Sequence, residues 1–279
     1  MAAAVPRFRY TGQFTSQGSA LGERREKQRT QYGVFFDQSR CTGCRACSIS
    51  CKEWYDIAPG PLKYMRVYQW EQGTFPNVRL GLLAVNCYHC EKPACIDACP
   101  HQAIFKEDKY GAVLIDEERC EGERECWEAC PYGAIVYASD NKGEKAHKCT
   151  MCVDRLETGE IPICVHSCSL RALDFGPIDE LRKRYGDCNS LDDLPDGSLT
   201  QPSAVFKPRD EKKQLIPWDG DKALAMWQQR GPYAPSDLPP TFTDKAAVVN
   251  PPAGVRGRDR LVLKARTAAE LMLATQDDE

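Results

Sequence analysis

Nothing in the sequence approaches the run of roughly 18 apolar residues that a membrane-crossing helix needs, although hydrophobic residues make up 42% of the chain. That excludes an integral membrane protein in favour of a soluble or peripheral one. The opening residues, MAAAVPRFRYTGQFTSQGSALGERREKQRT, are polar and lack the apolar centre of a secretory signal. Arg24 and Arg25 form a twin arginine, but no hydrophobic segment follows them, so no export signal is read there. The expected location is cytoplasmic or peripheral to the cytoplasmic membrane. A periplasmic one would need co-export with a signal-bearing partner. Charge of one sign is also lacking: the net charge is -3, so no bulk field argues for nucleic acid. No phosphate loop, GxGxxG motif or nucleophile–base pair is recognisable, which removes the common signatures of catalysis by the chain itself.

What the chain has is cysteine: 16 in 279 residues. Disulfides suit small secreted chains, and this one is long with no secretory signal. Zinc sites usually pair two CxxC units. Here three close cysteines recur with a fourth set further on. The first group lies in FDQSRCTGCRACSISCKEW, where Cys41, Cys44, Cys47 and Cys51 are spaced C-x2-C-x2-C-x3-C. Three thiolates on one tight loop can hold three corners of an iron–sulfur cube, while the fourth, a helical turn on, serves a second cluster. The choice of thiolate as a soft ligand points the same way.

Three more groups repeat this logic. Cys87, Cys90, Cys95 and Cys99 form the second, in NCYHCEKPACIDACP. Cys120, Cys126 and Cys130 form the third, in RCEGERECWEACP. Cys149, Cys152, Cys164 and Cys168 form the fourth, with VDRLETGEIPI inserted between its second and third members. The third group lacks one cysteine. FFDQSRCTGCRAC (residues 35–47) aligns without gaps on LIDEERCEGEREC (residues 114–126), so Asp37 matches Asp116 and Cys44 matches Glu123. The group tails CIDACPHQAI, CWEACPYGAI and CVHSCSLRAL also share one pattern. One ligand loop, short helix and strand has been multiplied. Cys188 stands alone and reads as a free thiol.

The coarse elements follow from pattern. YGVFFD reads as a strand and CSISCKEWYD as a short helix. Residues 61–80 read as a hairpin, LGLLAV as a buried strand, AIF and AVLID as a second hairpin, and PIDELRKRYG as a surface helix. RDRLVLKARTAAELMLAT reads as a helix with Leu261, Ala265, Ala268 and Met272 on one face. Residues 190–260 are dense in Pro, Asp and Gly. They are expected to wrap a partner with Trp218, Trp227, Tyr233 and Phe242 as anchors, rather than to fold back on the core.

At this point the chain resembles a family. YGVFFDQSRCTGCRACSISCKEW, CYHCEKPACIDACP, CPYGAI and HKCTMCVDR look like the motifs of the four-cluster, ferredoxin-like iron–sulfur (beta) subunits of the dimethyl sulfoxide reductase superfamily of molybdenum and tungsten oxidoreductases. The resemblance covers roughly residues 32–176. It implies an α+β fold of two pseudo-symmetric bacterial-ferredoxin-like modules with long irregular extensions. The arm would be residues 1–30. The core would be 31–176, with 31–80 and 141–176 as one module and 81–140 as the other. A partner-wrapping extension would follow at 177–279.

The resemblance also implies the ligand pairing. Cluster A takes Cys41, Cys44, Cys47 and Cys168; cluster B takes Cys149, Cys152, Cys164 and Cys51. Cluster C takes Cys87, Cys90, Cys95 and Cys130; cluster D takes Cys120, Cys126 and Cys99, with Glu123 at the remaining corner. Three 4Fe-4S clusters are implied. The fourth is 3Fe-4S, as in nitrate-reductase-type relatives with tryptophan at this slot, or a 4Fe-4S with Glu123 or water on the last iron, or absent. The implied function is to pass single electrons between a molybdenum/tungsten-pterin catalytic subunit and a quinone-linked membrane subunit or soluble carrier, in a hetero-oligomer. The alternatives are a subunit of a formate dehydrogenase or hydrogenase type complex, an enzyme with an open iron at Glu123, and a structural cluster protein. Substrate and direction of electron flow lie with the partner. The four histidines, His89, His101, His147 and His166, read first as ordinary side chains and not as ligands; His89 and His166 lie inside cluster loops, where a ring N–H can donate to cluster sulfur. Lys52, Lys148 and Arg155 adjoin the grouped cysteines and can offset cluster charge, although solvated side chains are the commoner outcome.

Overall fold

The structure is a computed structural model that describes residues 30–73, 78–209, 219–231, 234–241, 245–246 and 261–275. All but the last residue of the expected arm, and the expected anchors Trp218, Tyr233 and Phe242, lie outside these.

YGVFFD forms β1 (Tyr32–Asp37), where aromatic and β-branched residues suit a pleated, covered surface. It is the middle of a three-stranded sheet. The strand β6 (Leu173–Pro177) runs antiparallel on one side and β7 (Ala204–Lys207) runs parallel on the other. Successive side chains face opposite ways. Phe36 joins the main core with Met65, Tyr68, Val85 and Phe206. Phe35 packs with Ile178, Leu181 and Val205 beneath α6 (Ile178–Tyr185).

β2 (Arg66–Gln72) and β3 (Arg79–Val85) form an antiparallel hairpin that fills the main core. LGLLAV is therefore the second arm of the expected hairpin rather than a separate strand. β4 (Ile104–Lys106) and β5 (Val113–Ile115) form the other expected hairpin. It repeats the β6–β1 pairing in register: Ile104 faces Ile115 as Leu173 faces Phe36. In both, the aspartate that follows donates its N–H back across the pair, Asp116 to the Ala103 carbonyl at 2.7 Å and Asp37 to that of Ala172 at 2.8 Å.

Short helices carry the later cysteines: α1 (Ala46–Trp54), α2 (Ala94–Asp97), α3 (Glu125–Ala129), α4 (Val153–Glu157) and α5 (Ile163–His166). α1 packs on α5, and α2 on α3.

The stretch that follows α6 departs from expectation. Residues 186–209 return to the core instead of leaving it. Ser203 donates to the Tyr88 carbonyl at 3.0 Å, Lys92 to Thr200 at 3.0 Å and Phe206 to Cys188 at 2.7 Å. Ala204, Val205 and Phe206 are buried. The apolar run is too short to stand out among Pro and Asp, but the open edge of β1 supplies the ladder it lacks. Further on, α7 (Gly220–Arg230) buries none of its residues, and Trp227 is 59% exposed.

The expected terminal helix is shorter than its pattern. Only α8 (Ala268–Thr275) is helical. Residues 261–265 run non-helically, pinned where the Leu263 carbonyl accepts from Tyr68 Oη at 3.4 Å. The buried positions are Leu263, Leu271 and Thr275, not the expected face. Thr267 and Glu270 mark the start: the Glu270 N–H reaches Thr267 Oγ1 at 3.1 Å, and Arg266 N–H reaches Glu270 Oε2 at 2.8 Å. This T-x-x-E signature was legible in the sequence.

Candidate metal centres

The grouped cysteines meet in mixed sets. Cys41, Cys44, Cys47 and Cys168 line one enclosed space. Burial, then Cys41, Cys168 and Cys44, pushes the Cys47 thiol up to about 12. Cys51, Cys149, Cys152 and Cys164 line a second space, which Cys87 also reaches. Burial, then Cys152, Cys149 and Cys51, raises Cys164 well above the usual thiol range. Cys90 neighbours Cys87 and Cys130, and burial with the Cys87 charge lifts it to about 12. Burial and then Cys87 raise Cys95 too, with Cys130 and Cys90 contributing less. Cys126 neighbours Cys120 and Cys99; burial lifts it to about 11 although the Tyr137 hydroxyl opposes the rise. These neighbourhoods mix cysteines from different sequence groups. Cys188 belongs to none; its thiol donates to the Ser190 carbonyl at 3.0 Å.

The loops that do this share a backbone device. Gly43 and Gly122 have φ of 71° and 77°, and Arg45 and Arg124 have φ of 59° and 66°. Such left-handed residues turn successive N–H groups inward, a geometry that cradles anions. At Gly122 a side chain would strike the Gly143 and Glu144 backbone. Backbone N–H groups do reach sulfur: His89 to Cys87 at 3.5 Å, Met151 to Cys149 at 3.4 Å, and Ala146 to Cys120 at 3.4 Å. The repeated tails place an alanine N–H on the cysteine four residues back, Ala103 on Cys99, Ala134 on Cys130 and Ala172 on Cys168, at 3.3–3.4 Å.

The site suits a soft, multi-iron group. Gathering thiols raises Cys47, Cys51, Cys90, Cys95, Cys149 and Cys164, because burial and neighbouring like charge both oppose ionisation. A group that supplies positive charge removes that penalty and takes thiolate by preference. Glu123 is exposed, as is its counterpart Cys44. Donor atoms of Glu123, His101 and Glu121 lie within 4.8 Å of one another.

The basic side chains divide. Lys148 is 4% exposed; its Nζ donates to the carbonyls of Val113 and, at 3.0 Å, of Cys149. Arg155 is spoken for by Glu160 at 2.8 Å and lies over the Trp54 ring. Lys52 reaches the Gly60 carbonyl at 3.2 Å. His89 is 2% exposed, and burial, then Lys148 and Lys106, holds it well below the usual histidine range, so it is neutral. Its Nδ1 accepts the Val113 N–H at 2.9 Å, which places the proton on Nε2. Nε2 is buried with no partner, and His89 lines the second cysteine space. His166 is exposed, as suits an ordinary side chain. Sequence reasoning missed two residues. Asn86 donates from Nδ2 to Cys149 Sγ at 3.8 Å. Arg66 is 2% exposed beside Cys130, with its Nε unpartnered. A lone cation amid the apolar YMRVYQW run was the available signal for the second.

Two family models, each described as a 4Fe-4S dicluster domain, match residues 78–178 and 40–104. The sequence is 46% identical over 187 residues to the B component of anaerobic dimethyl sulfoxide reductase from Escherichia coli, covering 64% of this protein and 89% of that one. It is 36% identical over 171 residues to the B component of sulfite dehydrogenase from Allochromatium vinosum, covering 54% and 70%. It is 32% identical over 207 residues to the B component of tetrathionate reductase from Salmonella typhimurium, covering 72% and 81%.

Proposed function

We propose, because this protein belongs to the family of iron–sulfur electron-transfer subunits that includes the B component of anaerobic dimethyl sulfoxide reductase, that its cysteines hold four clusters in file. The chain is an iron–sulfur electron-transfer subunit of an oxidoreductase complex. The observation that carries the finer reading is the mixed sorting of the cysteines. Cys41, Cys44, Cys47 and Cys168 hold cluster A; Cys51, Cys149, Cys152 and Cys164 hold cluster B. Cys87, Cys90, Cys95 and Cys130 hold cluster C. Cys99, Cys120 and Cys126 hold cluster D, with Glu123 at its open corner. Clusters A, B and C are 4Fe-4S, and D is either 3Fe-4S or a 4Fe-4S with a non-cysteine ligand.

Proximity supports one order. Cys47 adjoins Cys51, linking A to B. Cys87 adjoins Cys149, linking B to C. Cys126 on α3 and Cys130, the residue that ends it, link C to D. When bound, the clusters supply reversible one-electron chemistry. The protein's own residues bury them, exclude water and aim N–H groups at sulfur. The matched antiparallel pairs β6–β1 and β4–β5 support two ferredoxin-like modules related by pseudo-symmetry. One catalytic, molybdenum- or tungsten-dependent partner and a membrane-anchored or soluble acceptor complete the path. The exposed helix α7, with Trp227 and Met226, belongs to the face that meets a partner. No helix among the described residues is long and apolar enough to cross a membrane. The test is purification of the intact complex with metal analysis and an EPR-monitored redox titration. Four reversible midpoints and a molybdenum- or tungsten-containing partner are expected. A protein that runs alone as a monomer with all its clusters overturns the subunit reading.

A further inference from the structure

The two halves of the cysteine array touch where Cys87 meets Cys149, and that place is polar. Cys87 of the third set adjoins Cys149 of the second. Lys148 lies between the sets, its charge felt by Cys95 on one side and Cys149 on the other. Asn86 reaches across from one loop to Cys149 Sγ at 3.8 Å. A single residue of β5 fixes both cation and imidazole: the Val113 carbonyl accepts from Lys148 Nζ, and its N–H donates to His89 Nδ1 at 2.9 Å. The His89 carbonyl is held in turn by Ser203 Oγ at 3.0 Å. Neither side chain is free to swing.

Two groups at this junction lack the partner that their burial demands. Lys148 is 4% exposed, and among the described residues no carboxylate pairs with it. His89 Nε2–H is buried without an acceptor and borders the space lined by Cys51, Cys149, Cys152 and Cys164. A buried ammonium needs a counter-charge, and a buried N–H needs an acceptor. Anionic clusters on either side supply both.

We propose that Lys148 and His89 are positioning residues that couple clusters B and C: the Lys148 ammonium is the shared counter-charge of the two, and His89 Nε2–H donates to a sulfur of B. This rests on the four-cluster reading above. Each added electron makes a cluster more negative, so a fixed buried cation favours the reduced form of both neighbours, and little solvent screens it. A hydrogen bond to sulfur acts in the same sense on the cluster that accepts it. The junction therefore holds the two middle midpoints up together. That keeps the step between the modules from becoming a barrier in either direction.

The experiment is an EPR-monitored redox titration of the purified complex, with iron content measured first. Lys148→Met keeps length and bulk and removes charge. Two of the four midpoints should then fall by a tenfold change in the reduction equilibrium, about 59 mV for a one-electron couple, while the other two stay. His89→Leu should lower one midpoint only, and His89→Gln, which keeps an N–H donor, should restore it. Full iron with no midpoint moved, or with all four moved together, overturns the inference and leaves the four-cluster reading standing. Native complex with too little iron for four clusters overturns that reading itself. Should Lys148→Met lose iron, His89→Leu decides alone: one lowered midpoint supports the coupling role, and none or four refutes it.

Discussion

Residues 32–54 and 113–130 fold by the same plan, and the places where they differ are informative. In both, a strand ends at an aspartate whose carboxylate accepts the N–H two residues on, at 2.9 Å for Asp37 with Ser39 and for Asp116 with Glu118. In both, an arginine three residues later returns to that aspartate, Arg40 at 3.6 Å and Arg119 at 3.5 Å. A glycine and an arginine with positive φ then feed a helix bearing a ligand cysteine. Two things differ. The first unit has Cys44 where the second has Glu123. The first also gains the extra strand β7, which buries Asp37 against Lys207. A repeated scaffold tolerates a changed side chain at this corner because the backbone, not the side chain, sets the loop.

Exchanging the differing ligands should have the largest effect. Glu123→Cys gives the second unit a fourth thiolate, and a 3Fe-type EPR signal of the oxidised protein should disappear as iron content rises. An unchanged oxidised spectrum with unchanged iron speaks against a 3Fe cluster there. Cys44→Glu should impose the Glu123 situation on cluster A and alter its signal alone.

The aspartates come next. Asp37 is 4% exposed on its side chain and Asp116 is 37%. Asp37→Ala strands buried donors and should destabilise the loaded protein by about 2–3 kcal/mol. Asp116→Ala should cost less than about 1 kcal/mol. Denaturant midpoints of the two variants, measured side by side, check this; equal losses would mean that β7 adds nothing to the first unit.

Acid should separate the units in the same way. Burial works against the Asp37 carboxylate, but hydrogen bonds from Ser39 and the Lys207 ammonium outweigh it and hold its pKa below 3.8. A depressed carboxylate contributes stability above its unfolded pKa, and that contribution disappears as pH falls through the folded value. Wild type should thus lose stability below pH 3.8 more steeply than Asp37→Asn does, as thermal melts across that window would show.

The smallest effects concern the loop glycines. A Cβ at Gly122 would stand 2.5 Å from the Glu144 carbonyl oxygen, whereas one at Gly43 would meet the movable Leu82 Cδ2 at 2.9 Å. Gly122→Ala should cost about 1–3 kcal/mol and Gly43→Ala about 1 kcal/mol. The reverse order, in thermal melts, would show that the second loop yields more easily than its packing indicates.

Most of this architecture was legible because cysteine spacing and repeat register are local. β1, α1, the β4–β5 hairpin and α6 follow from periodicity over a few residues. The cross-pairing of cysteine groups came from family resemblance, since spacing cannot say that Cys51 meets Cys149. Three things escaped. SAVFK is too short to announce β7, which exists because β1 has an open edge. Residues 261–267 carry a helical pattern, but contacts with Tyr68 hold Leu263 flat. Arg66, Asn86 and the Nε2 of His89 acquire meaning only from what surrounds them, and no periodicity encodes that.

The strand β7 has a consequence for how the protein is made. β4 and β5 find each other across a short loop and can pair as soon as they leave the ribosome. β1 must wait for residues 173–177 and then 204–207, far along the sequence. Contacts of such sequence separation form slowly. While the middle of the protein is being synthesised, β1 presents two bare edges, the kind of surface that invites aggregation. Cys41, Cys44 and Cys47 wait as well for Cys168, which lines the same space. Folding therefore runs against the order of the sequence: the β4–β5 pair closes first, and the sheet around β1, which opens the described sequence, is sealed last.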